Sequence, residues 1–126
     1  MVTNLTRTRA FACIKAVAGE MIAGNTHIIY SELADKIGMR NKTGQGLGPI
    51  LDEAATMCRK HNLPDVTAVV VTAESVRSGE PFPSLNSFNN EGIWPLSGLH
   101  IDDVPAEQKR VRDFDWQSLP TLNLNT

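Results

Sequence analysis

Long apolar runs are missing from this chain: none of its 126 residues belongs to a stretch approaching the roughly 20 consecutive apolar positions that a bilayer-spanning helix needs. The first residues also lack the order of cationic, then apolar, then small side chains that marks an export signal, so a soluble cytoplasmic chain with no membrane contact is expected. Cysteine is scarce. Cys13 and Cys58 are the only two, and a pair so far apart, in segments of helical pattern, does not build a secreted disulfide framework. Histidine numbers three. Cys58 and His61 have a ligand-like spacing without a second matching pair, so a core cysteine and an exposed helix-end histidine are expected, with no bound metal. No Ser, His and Asp set stands in a recognisable nucleophile turn. The glycines at 44, 46 and 48 follow a helical rather than a strand pattern and lack the Gly-Lys-Thr of a phosphate loop. Neither an enzyme nor a cofactor is expected, and no internal repeat is visible.

What is present is ordinary globular composition, 41% hydrophobic and 21% charged, in a chain long enough for one core that needs no metal or disulfide. The net charge of −2 is unevenly placed: residues 1–63 hold eight Lys or Arg against five Asp or Glu, and residues 64–126 hold four against nine. A basic face on the first half and an acidic second half are therefore permitted.

Leu5, Phe11, Ile14, Val17, Ala18, Met21 and Ile22 recur at helical spacing and predict an amphipathic first helix ending near Gly24. His27 to Tyr30 form a short β-favouring run. Ser31 is a suitable N-cap for a two-turn helix over 32–37, stopped by Gly38. Pro49 suits the first turn of a third helix reaching His61, with Ile50, Leu51, Ala54, Ala55 and Cys58 on its apolar face, ended by Asn62 and Pro64. Residues 66–73 predict a strand whose unalternating run Ala68, Val69, Val70 and Val71 asks for cover on both faces. Ser78 and Gly79 suit a turn toward a second strand near Phe82. Residues 83–99, rich in Pro, Asn, Ser and Gly, predict an ordered but irregular loop anchored by Leu85, Phe88, Ile93 and Trp94. Asp102 and Asp103 can cap a last short helix through Arg112, returning Val104, Val111, Phe114 and Trp116 to the core. Asp113 and Asp115 are expected as a solvated acidic helix end, and residues 120–126 as a frayed tail. The expected fold is thus a helix-rich α+β single domain, winged-helix-like over 5–82, with a small sheet or hairpin and a C-terminal extension over 83–116.

The segment Tyr30-Ser31-Glu32-Leu33-Ala34, then Gly38, then Gln45-Gly46-Leu47-Gly48-Pro49-Ile50-Leu51, resembles the DNA-binding part of alkylguanine-DNA alkyltransferases and alkyltransferase-like proteins. Those families carry a Tyr-Gly-x-Leu-Ala segment, a glycine closing the short helix and an Arg-Ala-Val-Gly-x-Ala-Leu recognition helix. The match covers about a fifth of the chain. Where the alkyltransferases carry Pro-Cys-His-Arg, this chain has Thr67-Ala68-Val69-Val70, with no thiol to accept an alkyl group. The family's duplex-entering arginine falls at Gln45.

Two functions are expected from these features. One is non-enzymatic binding of nucleic acid, DNA first, through Tyr30, Ser31, Arg40, Asn41, Lys42, Thr43, Gln45, Arg59 and Lys60, with cations and amides on phosphates at a helix start. The alternative is a protein-interaction module that docks a protein partner through the 83–99 loop and the acidic C-terminal half. A small accessory or counter-defence protein of a mobile element would suit either.

Overall fold

The computed structural model describes residues 3–39, 46–94 and 98–118. In chain order they form α1 (Asn4–Ile22), β1 (Ile28–Ile29), α2 (Tyr30–Lys36), α3 (Leu47–Lys60), a 3-10 turn (Val66–Val69), β2 (Val70–Val71), α4 (Ala73–Arg77), 3-10 turns at Leu85–Ser87 and Ile101–Asp103, α5 (Val104–Asp113) and a final 3-10 turn (Trp116–Ser118). The result is a helix-rich single domain with one two-stranded parallel sheet. No helix among the described residues is long and apolar enough to cross a membrane.

Two helices make the frame. The Thr3 hydroxyl caps α1 by accepting from the Thr6 amide, and the helix buries Ala10, Cys13, Ile14, Val17 and Ala18, one stripe at three- and four-residue spacing. Leu5 and Ile22, expected on that stripe, are instead 57% and 47% exposed. The cause is helical phase: at about 100° per residue both stand more than about 100° around the helix from the middle of that stripe, so they fall off its buried face. Ile50, Leu51, Ala54, Ala55 and Cys58 of α3 are all buried, joined by Leu47 and Met57. A single core draws on α1, α2, α3, the Val66–Val69 turn and β2, and is closed by Trp94, Val111 and Trp116.

The short helices end by hydrogen bonding that the sequence signals. Gly38 has φ of 77° and donates to the Asp35 carbonyl, while the Met39 amide reaches back to Ala34, satisfying two orphan carbonyls of α2. Asn62, with φ of 58°, does the same for α3. The start of α2 departs from expectation. Ser31 lies inside the helix and Ile29 is the N-cap, without a side-chain bond, because β1 is already extended there and runs directly into the helix.

The largest departure lies in the predicted strand over 66–73. Its first four residues wind into the 3-10 turn because the Asp65 carboxylate accepts from both the Thr67 amide and the Thr67 hydroxyl. Local side-chain bonding there outcompetes β propensity. Only Val70 and Val71 are strand, pairing in parallel with Ile28 and Ile29, and a parallel pair needs the long crossover that α2 and α3 supply. Cover on both faces is nonetheless found: Val66 to Val71 are all fully buried. No strand forms near Phe82, where the second one was expected; the chain there is irregular, and ahead of it stands α4, whose N-cap Thr72 accepts from the Ser75 amide. The Phe82 carbonyl accepts from the Thr72 amide and the Ser75 hydroxyl.

Residues 83–94 and 98–103 are ordered without long elements. Asn89 Oδ1 accepts from the Glu91 and Ile93 amides, and Ile93 makes a single antiparallel bridge with His100. The His100 ring, rather than Asp102, caps the turn that leads into α5, by accepting from the Asp102 amide. The expected frayed tail, 120–126, lies outside the described residues.

Candidate nucleic-acid interface and neighbouring clefts

The start of α3 is set by two core anchors. Met39 and Leu47 are buried on either side of the connecting loop, so the loop leaves and re-enters the domain at fixed points. Between them, Gly46 stands at φ of 88° as the N-cap and makes no side-chain bond. Gly48 and Pro49 are exposed, and the first turn holds no acidic residue. Among the described residues this end of α3 thus presents the positive end of its dipole with no carboxylate in the first turn, although Asp52 and Glu53, which stand toward that end, follow in the second. Arg40, Asn41, Lys42, Thr43 and Gln45, expected to grip phosphates there, lie outside the described residues.

The other expected contacts are not gathered at that end. Arg59 and Lys60 are exposed on the last turn of α3, about 20 Å along its axis from Leu47. Tyr30 is committed elsewhere: its hydroxyl accepts from the Ser84 amide at 2.8 Å, and burial pushes the phenol pKa up. Ser31 is half-buried in the first turn of α2. Between its ends, the outward side of α3 carries Asp52, Glu53 and Thr56. Asp52 Oδ1 accepts from the Trp94 indole at 2.6 Å, and Glu53 pairs with Arg7 at 3.7 Å. The middle of the helix is thus occupied by contacts to α1 and to the C-terminal extension.

Arg59 instead borders a cleft of about 400 Å³ with Asn62, Asp65, Glu107 and Arg110. Glu107 organises it, accepting from the Asp65 amide at 2.7 Å and from Arg110 Nη1 at 2.8 and 3.0 Å. Burial pushes the Asp65 carboxyl above the ordinary range. Its bonds from Thr67 and the charge of Arg59 oppose the rise, and Glu107 adds to it. A carboxyl raised in the folded state holds its proton more tightly there than in the unfolded chain. Its ionisation therefore removes stability as pH climbs from the ordinary value of about 4 through the raised folded one. Asp65→Asn keeps an acceptor for Thr67 and removes that loss. Urea unfolding should find the variant equal to wild type near pH 4 and more stable than wild type at neutral pH. Parallel pH profiles for the two proteins would show that the carboxyl is not desolvated.

The thiols are inert by burial. Cys13 is fully buried and pushed far up, with Cys58 beside it contributing, and Cys58 is pushed up to about 12. The helix-end His61, expected to be exposed, is half-buried, and its Nε2 has no hydrogen-bond partner. Among the described residues no three His, Cys, Asp or Glu side chains group as metal ligands. Thr67 is fully buried with its hydroxyl bonded to Asp65. Asp113 is ion-paired with Lys109 one helical turn earlier.

One surface combines the start of the 83–99 loop, which the sequence offered as a protein-docking segment, with α4 and residues 80–82, which it did not. A groove of about 590 Å³ runs between α4 and the Leu85–Ser87 turn, with Phe82, Leu85 and Ile101 along it and Glu74 and Glu80 at its edge. Its signal was faint: Leu85 is a lone aliphatic residue in a polar run, indistinguishable by pattern from a core anchor. No protein-family model, no curated protein and no solved structure matches the chain.

Proposed function

We propose that the protein is a non-enzymatic nucleic-acid-binding module of winged-helix-like order, which meets DNA with the start of α3 and the loop before it. The observation that carries this reading is the open N-terminal end of α3: a glycine cap, exposed Gly48 and Pro49, and no acidic residue in the first turn. It directly follows a loop whose sequence holds Arg40 and Lys42. Helix-start amides and the dipole favour phosphate, and two nearby cations add counterion release. The chain order of α1, β1, α2, α3 and β2 supports the same reading, with α4 in place of the hairpin that would form a wing. Tyr30, Arg59 and Lys60 drop out of the proposed contact, since the first is bonded to Ser84 and the others stand at the far end of α3.

Fluorescence-anisotropy titrations against duplex and single-stranded DNA and RNA at several salt concentrations test it. Replacing Arg40 and Lys42 by alanine should weaken binding to all sequences and flatten the salt slope by about two units at most. Gln45→Ala should leave that slope nearly unchanged and, if its amide reads a base edge, relax sequence preference by about 1–3 kcal/mol. Arg59→Ala with Lys60→Ala should change neither quantity. Absence of binding to every probe near physiological salt would end the nucleic-acid reading.

A further inference from the structure

The groove between α4 and the Leu85–Ser87 turn is preformed. On one wall, the Ser75 hydroxyl donates to the Thr72 carbonyl at 2.7 Å and accepts from the Phe82 amide at 2.9 Å, while the Thr72 amide donates to the Phe82 carbonyl. On the other wall, the Ser84 amide is held by the Tyr30 hydroxyl, and the Ser87 amide donates to the Ser84 carbonyl. Neither wall must be ordered when something enters, so the entropic cost of binding falls mainly on the ligand.

Its chemistry is apolar inside and acidic outside. Phe82 and Ile101 are half-buried along it, and Leu85 is 67% exposed, more than Leu5 or Ile22. Glu74 and Glu80 are exposed on the edge, and among the described residues neither pairs with a cation. Asp102 and Asp103, also exposed, follow Ile101 directly. Over residues 72–103 the sequence sets Glu74, Glu80, Glu91, Asp102 and Asp103 against Arg77. An edge that carries Glu74 and Glu80 repels phosphates and anionic lipid and attracts cations, while the exposed leucine gains from an apolar side chain laid against it.

We propose that this groove docks a protein segment that carries a large aliphatic side chain flanked by lysine or arginine. It is a second binding surface, opposite in charge preference to the start of α3, and it stands whether or not the chain binds nucleic acid. Tyr30 acquires a role here: by holding the Ser84 amide it fixes the wall that carries Leu85, which is a positioning role rather than a contact.

The test uses the full chain labelled with nitrogen-15 and three eight-residue peptides. One has a central Leu-Leu pair flanked by lysine and arginine, one has Ala-Ala at the centre of the same flanks, and one has Leu-Leu flanked by glutamate. The first should produce saturable amide shifts confined to residues 72–86 and 101–103, weakening as salt rises. The other two should produce none that saturate. Leu85→Ser changes an exposed side chain, so the same spectrum reports an intact fold, and affinity for the first peptide should fall by at least about fivefold. Glu74→Gln with Glu80→Gln should weaken binding by about three- to tenfold and remove most of its salt dependence. Saturable binding of the glutamate-flanked peptide, shifts centred on the start of α3, or an affinity unchanged by Leu85→Ser would each overturn the proposal, as would no saturable shift with the first peptide. A duplex titration without binding, alongside groove shifts with the first peptide, would remove the nucleic-acid reading alone.

Discussion

Val70→Asp is expected to leave no cooperatively folding protein. Val70 is fully buried, belongs to the core and pairs with Ile28 in the two-stranded sheet. An aspartate there would stand in a cluster of buried apolar side chains, flanked by buried Val69 and Val71. An unpaired buried charge costs several kcal/mol, and a raised pKa that keeps it neutral still leaves a polar group without partners. That loss is of the order of the whole stability of a small domain, about 5–15 kcal/mol. Val70→Ala separates charge from volume: it should cost about 1.5–3 kcal/mol and still unfold in one transition, as burial of a valine side chain implies. Circular dichroism with urea titration reads both. A soluble Val70→Asp protein with a cooperative transition near that of wild type would show that β2 is not in the core.

The same segment shows what the sequence conveyed and what it did not. Burial of the Val66 to Val71 run was legible because six consecutive positions without a charge, most of them β-branched, have nowhere to go but inside. Its conformation was not legible. Whether such a run extends or winds is decided by Asp65, whose carboxylate captures the Thr67 amide and hydroxyl, and a single capping residue leaves no trace in hydrophobic periodicity. Helix ends were read well at Gly38 and Asn62, since the left-handed conformation restricts residue type locally. The N-cap of α2 was misread at Ser31 because the sheet partner that extends Ile29 lies more than 40 residues away, at Val70 and Val71.

The candidate site divides along the same line. The open start of α3 follows from Gly46, Gly48 and Pro49, all local signals. The commitment of Tyr30 to Ser84, and the engagement of Asp52 and Glu53, depend on contacts between residues 42 to 54 positions apart. Periodicity cannot encode such contacts. Leu5 and Ile22 are a different kind of miss: counted in helical phase they stand off the stripe centred on Ile14 and Val17, so their exposure was already written in the sequence.

Trp94→Ala should be the most costly substitution in the C-terminal extension, at about 3–5 kcal/mol. The residue is 4% exposed, meets the Phe88 ring edge-on at 5.8 Å between centroids, and donates its indole N–H to Asp52 of α3. Truncation removes the packed ring, the aromatic pair and a charge-assisted hydrogen bond together. Trp94→Phe distinguishes them. It retains most of the apolar contact and loses the bond to Asp52; since Asp52 is half-buried and water can replace the donor, the cost should be only about 1 kcal/mol. Asp52→Ala removes the other partner, so a double-mutant cycle between Trp94→Phe and Asp52→Ala should return a coupling of about 0.5–2 kcal/mol. Amide exchange then locates the loss. Because Trp94 ties the extension to α3, Trp94→Ala should reduce protection in residues 88–94 and 98–101 more than in α1 or the first turns of α3. Urea unfolding of Trp94→Ala within about 0.5 kcal/mol of wild type, the scale of ordinary surface substitutions, would show that the extension is held to the domain by something other than this side chain.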